Sequence, residues 1–185
     1  MQRSATFVRS LHDLGLAGWF GSVLMGAVAV NRAAGDLDDP RLVGRVTNGV
    51  WRRWWPVSAG FTGAYLIGGL GLTYANKGRL LGQRGVLAST VVKNVLTAGA
   101  LAAALRSGQL GKQLSDAGDV PLRDGTTPAD GTPSDVAAAV RQLAALQWAL
   151  AALTGALIVV SALQGEQQRP SNVVAGVVDR FTPGR

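Results

Sequence analysis

The chain has 185 residues, of which 48% are hydrophobic and 16% charged, and its formal net charge is +7. It contains no cysteine and one histidine, which excludes disulfides, iron–sulfur clusters, cysteine nucleophiles and multi-histidine metal cages. Many of its 25 glycines lie within apolar runs, where they would destabilise a water-soluble helix but allow membrane helices to pack closely.

Four apolar stretches are each long enough to cross a bilayer as a helix. They predict an all-α integral membrane four-helix bundle, formed by a single domain over 1–185, with interfacial amphipathic helices. A cleaved signal peptide is an alternative for the first stretch, but its apolar run is longer than a usual signal-peptide core and three further spans follow. The predicted spans are about 12–32, 54–76, 85–106 and 142–165.

Small residues recur every three or four positions along one face of the first two spans. Such a face lets another helix approach closely, so the pattern predicts that these two spans pack together. The residues predicted for this helix packing are Gly15, Gly18, Ser22, Gly26, Gly60, Ala64 and Gly68.

Amphipathic segments and a polar loop connect the spans. After Asp39 and Pro40, apolar residues on one side and arginines on the other predict an interfacial helix before the second span. Residues 115–134 are rich in Asp, Gly, Pro and Thr and predict a flexible loop, and residues 171–182 predict an amphipathic tail. A cluster typical of a lipid interface opens the second span and consists of Trp51, Arg52, Arg53, Trp54 and Trp55.

The third span carries polar residues on one helical face. Its polar residues from Thr90 to Thr97 are spaced at i, i+3, i+4 and i+7, and a lysine that faces lipid would cost roughly 2.5–3.5 kcal/mol. We therefore expect this face to turn inward and to form a half-buried polar cluster with Asp13 as the counter-charge. The predicted members are Lys93, Asn94, Thr90, Thr97, Asp13, His12 and Ser161.

Two roles for this cluster stay open. One hypothesis is that it binds an anionic headgroup or the edge of a quinone or haem, or carries protons. The other is that Lys93 extends toward the interface while the hydroxyls and amides join helices by hydrogen bonds. His12 as an axial haem ligand would need a second ligand from another chain or an open site, so neither a cofactor nor a metal is predicted.

The basic residues mostly flank apolar runs, which predicts contact with an anionic lipid surface rather than with nucleic acid. Counting the lysines and arginines near the span ends predicts that loop one, between the first two spans, and loop three, between the last two, are cytoplasmic.

Three short motifs resemble a loose family of small bacterial four-helix membrane proteins, which includes the membrane domain of D-type copper-resistance proteins. The motifs are Leu11-His12, Gly18-Trp19-Phe20-Gly21 and Gly78-Arg79-Leu80-Leu81, and the resemblance covers residues 11–106. It implies a multi-pass helical bundle in the bacterial plasma (inner) membrane. Copper binding is not predicted for this chain, because Cu(I) favours thiolate, thioether and imidazole ligands and the candidates are His12, Met25 and Met1.

No phosphate-binding loop, zinc-helix motif, nucleophile elbow or carboxylate pair is present in the sequence. The first prediction is a non-catalytic accessory or assembly subunit of a larger membrane complex, with lipid and other membrane subunits as partners. The alternative is a small transporter, or a lipid- or ligand-binding membrane protein, that acts through Lys93. A membrane enzyme or redox subunit is a third reading, which a bound chromophore would reveal.

Overall fold

A computed structural model describes residues 2–75 and 84–167, with side chains over 6–75 and 87–166. The described chain is mostly helical and contains four long helices. The predicted amphipathic tail at 171–182 lies outside the described residues. The helices are α1 (Gln2–Met25), α2 (Pro40–Ala75), α3 (Arg84–Asp116) and α4 (Ser134–Gln167).

The helical path of α1 continues beyond Met25. Gly26–Val30 is π-helical, Asn31–Ala33 returns to α-helix, and Ala34–Asp36 ends the segment as a 3₁₀ turn. The wider π-helical turn begins at Gly26, where an added Cβ would lie 2.3 Å from the Trp51 ring. Because Gly26 has no side chain, the Trp51 indole of α2 can pack directly against this helix.

Helix α2 is one helix of 36 residues, about 54 Å long at 1.5 Å per residue. The segment predicted as an interfacial helix is therefore continuous with the predicted second span. Pro56 lies inside the helix. A proline removes one backbone hydrogen bond, but a helix packed against neighbouring helices can tolerate this loss. In the first half, Val43 and Thr47 are buried, so this half packs on protein.

The helices associate in two pairs. Helix α1 packs mainly on α2 and α3 mainly on α4, while α1 also contacts α4 and α2 meets α3 only sparsely. Two apolar cores result. The central core contains Leu16, Trp19, Val23, Tyr65, Ala100, Leu150 and Leu157. The second core lies at the loop end and contains Val43, Leu110, Leu114, Val120, Leu122, Val136 and Val140.

The predicted flexible loop at 115–134 contains a short β-hairpin in the structure. Strand β1 (Leu122–Asp124) pairs antiparallel with β2 (Thr127–Pro128). Val120 and Leu122 are buried in the second core, where Leu122 is 1% exposed. The polar composition of the segment conceals these two apolar side chains, which hold the hairpin on the helix ends.

Three helical stretches among the described residues are long and apolar enough to cross a membrane: Thr6–Asp36, Leu87–Asp116 and Ser134–Glu166. They correspond to the first, third and fourth predicted spans. The described part of the predicted span at 54–76 lies in the second half of α2. Its glycines, tryptophans and tyrosines lower its mean hydropathy.

Asp124 gives the hairpin a dependence on pH. Its Oδ1 accepts hydrogen bonds from the backbone and hydroxyl of Thr126 at 2.6 and 2.8 Å, and its Oδ2 accepts one from the Thr127 hydroxyl at 2.8 Å. Partial burial alone would raise the pKa of Asp124, but these hydrogen bonds outweigh it and hold the pKa below its ordinary value of 3.8. The carboxylate therefore stabilises the hairpin above that value, and the stabilisation is lost as pH falls toward the lower pKa of the folded state.

We expect the amide protection factors of residues 118–133 to fall when the pH is lowered below 3.8, as measured by hydrogen exchange. Asp124→Asn should reduce protection already at neutral pH and remove the response to acid. Asp130→Asn is the matched control, because the fully exposed Asp130 lies 3.6 Å from Arg123, and exposed ion pairs contribute little. An unchanged acid response in Asp124→Asn would contradict this assignment.

Candidate functional site

The candidate site lies at the tail side, the end formed by the start of α1 and the last turns of α4. His12 of α1 is 1% exposed. An added Cβ on Gly68 of α2 would lie 2.4 Å from the His12 backbone nitrogen, and one on Gly69 would lie 3.6 Å from its ring. The two glycines thus let the α2 backbone approach α1 closely enough to bury the imidazole.

His12 connects a lysine with a carboxylate. Its Nε2 lies 2.8 Å from Nζ of Lys93 on α3, and its Nδ1 lies 2.7 Å from Oδ1 of Asp13. An ammonium only donates hydrogen bonds and a carboxylate only accepts them. A neutral imidazole that donates from Nδ1 to Asp13 and accepts at Nε2 from Lys93 satisfies both contacts; the tautomer is assigned from these partners.

Tyr65 of α2 closes the other side of this group. Its ring centroid lies 4.9 Å from that of His12, and Lys93 Nζ lies 5.9 Å from its centroid. Its hydroxyl is 2.7 Å from Thr97 Oγ1, which donates to the Lys93 carbonyl at 2.8 Å. Because the single Thr97 hydroxyl proton is used for that carbonyl, the Tyr65 hydroxyl is the donor of the shared bond.

The structure brings His12, Asp13, Lys93 and Thr97 of the predicted cluster together around Tyr65. Thr90 is half-buried and lies 3.4 Å from Gln164 Nε2, at the contact with α4. Asn94 is exposed. The Ser161 hydroxyl is buried, with no hydrogen-bond partner among the described residues, so it is not joined to the lysine.

Sequence reasoning missed Tyr65. The available signal was its position, since it lies in the middle of an apolar span rather than at an interface. A buried tyrosine hydroxyl generally needs a hydrogen-bond partner, and the predicted polar face of the third span offered one.

The predicted packing residues mostly lie between α1 and α2. An added Cβ on Gly15 would lie 2.3 Å from the Tyr65 backbone nitrogen and 2.9 Å from the Ala64 carbonyl carbon, and one on Gly18 would lie 2.3 Å from the Phe61 ring. Ser22 is buried and donates to the Gly18 carbonyl at 2.6 Å. Gly26 and Gly68 contact Trp51 and His12, as described above. Gly60 differs, because nothing lies within 4 Å of its added Cβ.

Of the predicted lipid-interface cluster, some side chains are packed inside the protein and others are exposed at its surface. Trp51 turns inward, where its indole N–H donates to Asn31 Oδ1 at 3.1 Å. Trp55 is 62% exposed, and Trp54 is half-buried with its indole N–H unpaired among the described residues. Arg52 and Arg53 are exposed, and Arg53 donates to the Gly49 carbonyl at 3.0 Å.

Asn31 forms a second polar junction, at the loop end. It is 1% exposed and donates from Nδ2 to Gln147 Oε1 at 2.7 Å. Its backbone carbonyl accepts a hydrogen bond from the Gly125 backbone N–H at 2.9 Å. Together with the hydrogen bond from Trp51, these contacts link residues 26–36, which extend α1, to α2, α4 and the hairpin. The sequence prediction did not include Asn31, although an amide ending the first apolar run was a signal.

We expect Asn31→Leu to destabilise the protein by about 2–6 kcal/mol, because it leaves the Trp51 N–H and the Gln147 amide unpaired and each such group costs about 1–3 kcal/mol. Thermal unfolding in detergent measures this loss. Asn94→Leu is the matched control, since Asn94 is exposed, and it should unfold like the unmodified protein. Equal unfolding temperatures of the two variants would show that the hydrogen bonds of Asn31 do not stabilise the protein.

The described residues include no group of three or more His, Asp or Glu side chains that could hold a metal ion. Comparison with protein-family models, with curated protein sequences and with solved structures finds no match to this chain. The resemblance to small bacterial membrane proteins therefore stays a prediction.

Proposed function

We propose that this chain is a multi-pass integral membrane protein whose four long helices all cross the bilayer. The support is the apolar outer surface of the helices, combined with a few polar side chains buried inside. Large apolar side chains point outward on every long helix, including Leu14, Leu70, Val95 and Val159 at 59–73% exposure, whereas His12, Asn31 and Thr154 are at most 1% exposed. Such outer surfaces suit hydrocarbon, and interior hydrogen bonds suit a setting without water.

We further propose that it acts as a non-catalytic accessory or assembly subunit of a larger membrane complex. The observation that favours this role is the open glycine face of α2. Nothing lies within 4 Å of an added Cβ at Gly60 or Gly63, and an exposed glycine in a helix costs about 1 kcal/mol relative to alanine. A neighbouring helix packed on this face would recover that cost through close backbone contact.

Purification from native membranes in a mild detergent tests this role. We expect a stoichiometric membrane partner that Gly60→Leu displaces, while the thermal unfolding of the variant itself stays normal. Gly111→Leu is the control, because Gly111 is also open but lies on α3. If the protein purifies alone, or if both variants retain the partner equally, the α2 face is not the docking surface.

The second candidate is a small transporter or a lipid- or ligand-binding membrane protein. The specific observation that favours it is the placement of Lys93 against His12 at 2.8 Å, which puts titratable groups between the helices. Thermal stabilisation by anionic phospholipid but not by a zwitterionic one, lost in Lys93→Met, would support ligand binding. Equal stabilisation of both proteins would argue against it.

For orientation in a bacterial plasma membrane, we propose that the hairpin end is cytoplasmic, as the distribution of arginines and lysines predicts. The chain has no cysteine, so Asp130→Cys introduces a single thiol at an exposed position in the turn that follows β2. We expect a membrane-impermeant maleimide to label it only after lysis of the cells. Labelling of intact cells would reverse the orientation.

A further inference from the structure

We infer that Asp13, His12 and Lys93 form a proton relay through which Lys93 exchanges its proton with the tail side of the membrane. This inference rests on the proposed membrane location and specifies the ligand of the second candidate function as a proton. Three titratable groups are connected by contacts of 2.8 and 2.7 Å, in the order ammonium, imidazole, carboxylate.

The relay has one buried member and one accessible end. The His12 side chain is 2% exposed and that of Asp13 is 60% exposed. Asp13 lies one helical turn after Arg9, which is also exposed. The imidazole is thus screened from solvent, while its carboxylate partner is open at the outer surface of α1.

A transfer along the relay conserves atoms and charge. The N–H bond at Lys93 Nζ breaks as one forms at His12 Nε2, and the Nδ1–H bond breaks as an O–H bond forms at Asp13. The imidazole then holds its proton on Nε2, and Asp13 releases its proton to the tail side. Lys93 is left as a neutral amine, and the reverse sequence recharges it.

Ionisable side chains from three helices contact His12. On α1 the charged groups are Asp13 and Arg9, and the guanidinium of Arg9 donates hydrogen bonds but accepts none. The α2 contribution is Tyr65, whose hydroxyl donates to Thr97 rather than to the imidazole. Helix α3 contributes Lys93.

The single histidine of the chain makes the test direct, because one labelled imidazole reports on the relay without assignment. The protein is labelled with ¹⁵N-histidine and studied by NMR in phospholipid nanodiscs at neutral pH. We expect the proton on Nδ1, a bare Nε2, and a changed Nε2 signal in Lys93→Met, in which the donor to that nitrogen is lost. An Nε2 signal that is the same in Lys93→Met as in the unmodified protein would overturn the proposal.

Exchange of the Nδ1 proton with D₂O separates a relay from a purely structural contact. A positioned proton acceptor contributes about 100-fold or more to a transfer rate, so Asp13→Leu should slow the exchange by about that factor. A structural contact predicts the opposite, since removing it loosens the site and speeds exchange. Asp38→Leu, an exposed loop aspartate, is the control and should leave the rate unchanged.

These outcomes are distinct from a failure of the membrane proposal. A protein that stays in the bilayer but exchanges its Nδ1 proton equally fast with and without Asp13 has no relay, while the proposed location stands. A protein that does not incorporate into nanodiscs refutes the location itself.

Discussion

Gly15→Leu should abolish the packing of α1 on α2 and with it most of the folded protein. Even the first added atom, Cβ, would lie 2.3 Å from the Tyr65 backbone nitrogen and 2.7 Å from the Phe61 carbonyl oxygen. Backbone atoms of a helix cannot move aside singly, so the helices must separate. Overpacking of a core by side-chain atoms costs about 1–3 kcal/mol, and a whole leucine against backbone should exceed that range.

The yield of monodisperse protein and its thermal unfolding temperature in detergent measure this effect. Gly21→Leu is the matched control, because Gly21 belongs to the same helix and nothing lies within 4 Å of its added Cβ. That variant should be at least as stable as the unmodified protein, since leucine is the better helix former. Similar behaviour of the two variants would show that α1 and α2 do not approach at Gly15.

His12→Leu should be the second severely destabilising change. It removes the acceptor from Lys93 Nζ, which lies 2.8 Å from His12 Nε2, and leaves the ammonium half-buried between helices. A buried polar group left without its hydrogen-bond partner costs about 1–3 kcal/mol, and a charged group such as this ammonium costs more, whereas replacing both partners by apolar groups can be nearly neutral. The double variant His12→Leu/Lys93→Leu should therefore be more stable than His12→Leu alone.

Unfolding of the two variants and of Lys93→Leu, measured in the same lipid or detergent, closes a double-mutant cycle. A coupling free energy of about 0.5–3 kcal/mol between His12 and Lys93 is expected for residues in direct contact. If the two single effects simply add, Lys93 is accommodated by some route other than His12.

The fold was predictable where periodicity carries the information. Apolar runs of sufficient length predicted the helices that the structure contains, and the spacing of Gly15, Gly18 and Gly68 predicted close packing of the first two. These features follow from local chemistry, because a small residue every three or four positions defines one helix face whatever the partner is.

The site was predictable only in part, because its geometry depends on the register between helices. The i, i+3, i+4, i+7 pattern places Thr97 and Lys93 on one face, but it does not determine which residue of α1 or α2 lies opposite. The register between α2 and α3 places Tyr65 opposite Thr97. Asn94 remains exposed and does not join the cluster, despite its favourable spacing.

Two further differences come from side chains whose partners are distant in sequence. Trp51 stands among tryptophans and arginines that resemble an interface, yet Asn31 and Gly26 provide a place for its ring. Residues 115–134 have the composition of a solvated loop, and Leu122 with Val120 nevertheless anchors it in the second core. Composition averages over such individual contacts.

The central claim is that lipid surrounds most of this polypeptide, and fractionation of lysed cells tests it most directly. After high-speed centrifugation and an alkaline carbonate wash, the protein should remain entirely in the membrane pellet and enter solution only with detergent. Recovery in the supernatant without detergent would contradict the account.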